Sequence, residues 1–95
     1  MITSFGNDET ELIFNGNVSK KLPNDIQRGA LRKLLIIDAA RSFKDLNNPP
    51  GNRHEHLRGD LAGYHSIRIN DQWRIIFLWD EDTKNTSKVE VLDYH

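Results

Sequence analysis

The sequence predicts an α+β fold, with helices ahead of an antiparallel meander. Three observations carry this expectation. Apolar residues recur at intervals of three and four between residues 23 and 41. From residue 53 onward the period changes to two, and the links between the period-two segments are too short for anything but antiparallel neighbours. With 95 residues there is room for one core, so residues 1–95 are read as a single domain.

Taken in order, residues 1–5 alternate β-branched and aromatic side chains and suit a first strand. Asn7 offers a helix N-cap with Asp8 and Glu9 in the first turn, and Leu12, Ile13 and Phe14 precede Gly16, so a two-turn helix is expected. Pro23 fits the first position of a second helix over 23–41. Ile26, Ala30, Leu31, Leu34, Leu35 and Ile37 fall on one face of it. Arg28, Arg32 and Lys33 fall on the other, with Arg41 and Lys44 further on. That basic stripe reads as a solvated face or as a contact for phosphates or an acidic partner. Phe43 and Leu46 are expected to dock the chain before residues 47–52, where Pro49, Pro50 and Gly51 oppose a helix.

Strands are then expected over 53–58, 64–69, 73–79 and 88–94, with turns at 70–72 and 80–86. The register of the central hairpin follows from its two faces. A three-residue turn at 70–72 sets Ile67 opposite Ile75 and Arg68 opposite Arg74, whereas a two-residue turn would set Arg74 beside Ile67 and mix guanidinium with the apolar set. The first register puts Ile67, Ile69, Trp73, Ile75, Phe77 and Trp79 against the helices and gathers Ser66, Arg68 and Arg74 on the other face.

Composition narrows the function. The formal net charge is −1, which excludes a uniformly basic nucleic-acid tail. Cysteine is absent, excluding disulfides, Cys-zinc sites and thiol nucleophiles, and no apolar run approaches the ~20 residues of a membrane helix. A cytoplasmic protein with no membrane contact is expected. The acids concentrate at the two ends and the bases in the middle of the chain. A near-neutral total limits non-specific RNA binding. There is no Walker loop, GxGxxG, Ser-His-Asp order or paired-carboxylate motif.

Three constellations could carry chemistry. Arg68 facing Arg74 is electrostatically unfavourable, so the pair calls either for an anion such as phosphate, matched to the planar guanidinium, or for neighbouring acids. Asp93, Tyr94 and His95 bring a carboxylate, a hydroxyl and an imidazole to the end of the last strand, with Asp93 and His95 on one face by alternation. This is either a proton-transfer group or a frayed tail. Arg53, His54, Glu55 and His56, with Arg58 and farther on His65, could contact RNA or phosphate, or line a solvated edge strand. As a zinc site they lack a third ligand at diagnostic spacing, so no metal and no cofactor is expected.

The stretches Asn48-Pro49-Pro50-Gly51-Asn52-Arg53, Leu57-x-Gly59 and 63–77, together with the Asp93-Tyr94-His95 terminus, resemble the HigB-type (GraT-like) toxins of bacterial toxin–antitoxin systems, within the wider RelE/ParE superfamily. The opening Met1-Ile2-x-Ser4-Phe5 is similar as well. The resemblance implies two N-terminal helices packed on a small curved, mainly antiparallel sheet. It implies a ribosome-dependent mRNA endoribonuclease that halts translation and growth. It also implies neutralisation by a HigA-like helix-turn-helix antitoxin, with operator DNA bound only through the antitoxin complex. Carried over by position, Arg74 would stabilise the scissile phosphate and His95 would transfer a proton. Asp93 and Tyr94 would orient the RNA or the histidine. Arg68 and Arg58 match basic positions near the site, and a His or Lys of related toxins falls near His54 or His56.

RNA supplies its own 2′-hydroxyl nucleophile, so this chemistry needs acid–base and cationic groups rather than a metal. Two other readings compete. A ParE-like inhibitor of DNA gyrase would share the fold but has no need of a proton-transfer residue at the terminus. A non-enzymatic ribosome- or RNA-binding module would use the arginine face alone.

Overall fold

The computed structural model describes residues 1–93. Three helices, α1 (Asp8–Phe14), α2 (Asn24–Ala39) and α3 (Phe43–Leu46), precede four strands, β1 (Glu55–His56), β2 (Tyr64–Arg68), β3 (Trp73–Trp79) and β4 (Thr86–Asp93). The strands form one antiparallel sheet in the order β1-β2-β3-β4, the meander expected from the short links. No helix among the described residues is long and apolar enough to cross a membrane.

α1 begins where the side chain of Asn7 accepts the backbone N–H of Thr10 at 2.9 Å. It ends in a Schellman arrangement. Gly16, at φ +86°, lets its own N–H reach the Ile13 carbonyl and that of Asn17 reach Leu12. In α2, Ile26, Ala30, Leu34 and Ile37 are buried against Ile67, Ile75, Phe77, Val89 and Val91 of the sheet. The hairpin register is the expected one, with Ile67 opposite Ile75 and Arg68 opposite Arg74.

Several expectations are corrected. Pro23 caps α2 instead of opening it, and the helix stops at Ala39. Leu35 is 51% exposed, because α2 buries a narrower stripe than its apolar content suggests. Residues 1–5 form no full strand; they touch β4 through two parallel bridges, Ile2 to Thr86 and Phe5 to Val89. A single 3-10 turn, Pro50–Asn52, sits inside the expected loop, since proline is tolerated at the start of such a turn. The expected strand over 53–58 shrinks to two residues: Arg53 adopts φ +46° before it, and a 3-10 turn, Gly59–Leu61, follows. β4 starts two residues earlier than expected, at Thr86.

Candidate active site

Alternation along β2 and β3 sends Ile67 and Ile75 toward the helices and Ser66, Arg68 and Arg74 to the opposite face. Arg74 is the most constrained of these. Its Nε–H donates to Ser66 Oγ at 3.0 Å, and its Nη2 donates to the Arg53 carbonyl at 2.8 Å and lies 3.8 Å from Glu55. The side chain is 11% exposed. The left-handed backbone at Arg53 turns the chain after the 3-10 turn, and the Arg53 carbonyl becomes an acceptor for this guanidinium. Such a residue is costly in backbone energy, and here it ties the loop to Arg74.

Arg68 pairs through Nη2 with Asp71 in the hairpin turn. Asp71 is 99% exposed, so this ion pair is weakly held and open to exchange for another anion. Of the two answers to the arginine repulsion, the structure shows the neighbouring acids. Each guanidinium has an acidic neighbour, yet neither acid is buried with it. The two side chains bring planar, multi-donor groups to one surface of the sheet, a geometry suited to phosphate oxygens.

β4 runs beside β3 so that Leu92 pairs with Arg74 and Asp93 with Trp73, which puts Asp93 at the strand end on the helix-facing side and not on the arginine face. Asp93 accepts from Gln72 Nε2 at 2.9 Å. Tyr94 and His95 lie outside the described residues. Arg58 is exposed at the head of the second 3-10 turn.

The histidines gather elsewhere. Glu55 pairs with Ser66 and so lies on the arginine face, while His56 pairs with His65 on the helix-facing side. His54 Nε2 lies 2.9 Å from His65 Nδ1, and the rings of His56 and His65 are 4.1 Å apart. The sheet thus separates His54 and His56 from Arg68 and Arg74. The ligand that spacing failed to supply is His65, brought in by strand pairing. Phe43 of α3 sits over the group, 5.2 Å from each of the three rings. Burial pushes the His65 imidazole down to about 4, helped by the nearby His56 and His54 and opposed by Glu81. His54 is lowered for the same first reason, then by His56, with Glu55 opposing.

Two further residues escaped the sequence. Lys33, assigned to the solvated stripe, is half-buried and donates to Asn52 Oδ1. Asn52, itself fully buried, donates through Nδ2 to the Leu46 carbonyl at 3.0 Å. Burial lowers the Lys33 ammonium below its ordinary range, and the charges of Arg32 and Arg68 act in the same direction. Asn52 holds the loop immediately before Arg53, and thus supports the carbonyl that binds Arg74. The Pro50-Gly51-Asn52 run marked a turn in the sequence, but nothing in it announced that Asn52 is buried.

Both the sequence and the fold have known relatives. A family model described as the RelE-like toxin of type II toxin-antitoxin system HigB matches residues 3–95. Toxin HigB-1 of Vibrio cholerae is 53% identical over 58 residues, a stretch spanning 61% of this chain and 61% of that relative's length. The Endoribonuclease HigB of Proteus vulgaris is 36% identical over 78 residues, 81% of this chain and 83% of that one. Two solved structures share the fold. The toxin–antitoxin complex RelBE2 of Mycobacterium tuberculosis has a TM-score of 0.54 at 19% identity, covering 99% of this chain and 96% of that chain. The YoeB/ParE toxin of Agrobacterium tumefaciens has 0.55 at 17%, with the same coverage.

Proposed function

The chain belongs to the HigB family of RelE-like toxins from type II toxin–antitoxin systems, and on that premise we propose that it is an endoribonuclease cutting mRNA on the ribosome. The observation that carries the reading is the anchored guanidinium of Arg74, with Arg68 directly opposite it.

In the proposed reaction the 2′-oxygen attacks the adjacent phosphorus and the bond to the 5′-oxygen breaks. The products are a 2′,3′-cyclic phosphate and a 5′-hydroxyl. His95 serves in proton transfer, removing the 2′-hydroxyl proton or protonating the leaving 5′-oxygen. Arg74 stabilises the charge that develops on the phosphoryl oxygens, where a pre-positioned donor is most effective. Asp93 and Tyr94 orient the RNA or the histidine, and Arg68 and Arg58 bind backbone phosphates. The step is proposed to need no metal.

Residues 1–95 act as one domain in this reading. The partners are the ribosome with its mRNA and a HigA-like helix-turn-helix antitoxin that neutralises the toxin, operator DNA being reached only through that complex. With a net charge of −1 the protein has little general attraction for RNA, so the ribosome is assigned the task of presenting the substrate.

The test is purified protein added to programmed ribosomes, with cut sites mapped by primer extension. Cleavage at defined positions with ribosomes, and far less on the same RNA alone, is expected. Intact mRNA after incubation overturns the reading.

A further inference from the structure

We propose that His54, His56 and His65 form a binding site for one divalent cation of the borderline class, Zn²⁺ foremost, on the helix-facing side of the sheet. The side-chain ligand atoms of the three residues all lie within 4.8 Å of one another. Nitrogens bound to one tetrahedral zinc at 2.0–2.1 Å lie about 3.3 Å apart, so the metal-free spacing is within a small side-chain rotation of that required. One pair, His54 Nε2 and His65 Nδ1, is already at 2.9 Å.

Strand pairing gives the site its rigidity. His65 is buried on β2 and lies nearly parallel to Phe77, with centroids 5.9 Å apart, so it provides a fixed ligand. His56 stands directly across the ladder from it, and His54 approaches from the chain just before β1. These two are the more exposed and can turn toward a cation. Phe43 covers the group from α3. Three imidazoles leave the fourth position of a tetrahedral ion for water, and imidazole nitrogen selects zinc-like cations over magnesium or calcium.

Such a cation would clasp the two-residue β1, and with it the loop carrying Arg53, to the body of the sheet. The proposal does not depend on the reading of the arginine face. Its test uses the metal ion itself, and RNA cleavage does not enter.

Untagged full-length protein, freed of metal with a chelator, is titrated with Zn²⁺ against a chromophoric competitor and with Co²⁺ followed by its visible absorption. One equivalent should bind with a dissociation constant of about 1 µM or tighter. His54→Asn and His56→Asn should each weaken binding about tenfold or more. Because His65 is buried and its replacement can cost the fold, the variants at half-buried His54 and exposed His56 carry the decision. Weaker binding by the unaltered protein, or binding indifferent to these variants, overturns the proposal and leaves the trio as a hydrogen-bonded histidine cluster.

Discussion

The hydroxyl of Thr10 in α1 accepts the amide N–H of Val91 in β4 at 2.9 Å and donates its own proton to Asn7 Oδ1 at 2.7 Å. A helix cap and a strand amide are thereby joined through one buried side chain. Thr10→Val keeps the shape but strands the Val91 amide in an apolar setting, a loss of about 1–3 kcal/mol. Urea unfolding should show it as a lower midpoint with unchanged slope, and Thr10→Ser should recover most of it. Equal stability of the valine and threonine proteins would refute this account.

Arg74→Ala should lower ribosomal cleavage by about 100-fold or more, the usual effect of removing a donor that stabilises transition-state charge. Arg74→Lys should recover little, because an ammonium cannot reproduce the planar fork that engages Ser66 and Arg53. Ser66→Ala, which removes the hydroxyl that accepts from Nε and keeps the charge, should fall between the native protein and Arg74→Ala. Primer-extension yields at matched protein concentration would rank the three, and a fully active alanine variant would exclude Arg74 from the reaction.

Asn52→Ala removes an acceptor for Lys33 and a donor to the Leu46 carbonyl. A destabilisation of about 2 kcal/mol is expected from the buried groups left unpaired. Cleavage should also fall even well below the melting temperature, since the loop before Arg53 loses its anchor. Loss of stability with undiminished cleavage would show that this loop does not position Arg74.

Acid should weaken the metal-free protein. The folded His65 imidazole, held at about 4, binds its proton less readily than the unfolded one near 6.5. Its contribution is therefore complete above pH 6.5 and is lost as pH falls from there toward 4, a span corresponding to about 3 kcal/mol. His56, His54 and Glu81 share the surroundings, and carboxylates elsewhere titrate in the same range, so the readout is a difference. Urea midpoints of the native protein and of His65→Gln should converge between pH 7 and pH 4, measured with chelator present. Parallel curves would contradict the shift.

The hairpin register was legible because only one alignment keeps the arginines off the apolar face, and alternation in 64–79 leaves no second choice. The cap of α1 was equally plain, since Asn7 followed by acids has few other uses. The histidine trio was not. Its third member depends on the pairing of a two-residue strand with β2, and two residues carry too little periodicity to fix a register. Lys33 was misread for a related reason: helical periodicity separates apolar from polar faces but says nothing about a buried asparagine arriving from a distant loop. The terminal residues Tyr94 and His95 were singled out by their acid–base chemistry, with the alternative of a frayed tail, and their roles came from the family resemblance; both lie outside the described residues.

The segment before α1 closes one margin of the sheet. Its backbone takes the outer edge of β4, with Thr86 N–H donating to the Met1 carbonyl at 2.9 Å and Gly6 N–H to the Val89 carbonyl at 2.8 Å. The approach at Gly6 is close, since a Cβ there would lie 3.0 Å from Glu90 Cβ and 3.3 Å from the Lys88 carbonyl oxygen. At the far side of the sheet β1 is only two residues long and offers little template for another strand. Deleting residues 1–6 would uncover the one long ladder edge among the described strands. Light scattering during overproduction should then report chains adding to one another edge to edge, in a protein that otherwise has both margins of its sheet guarded.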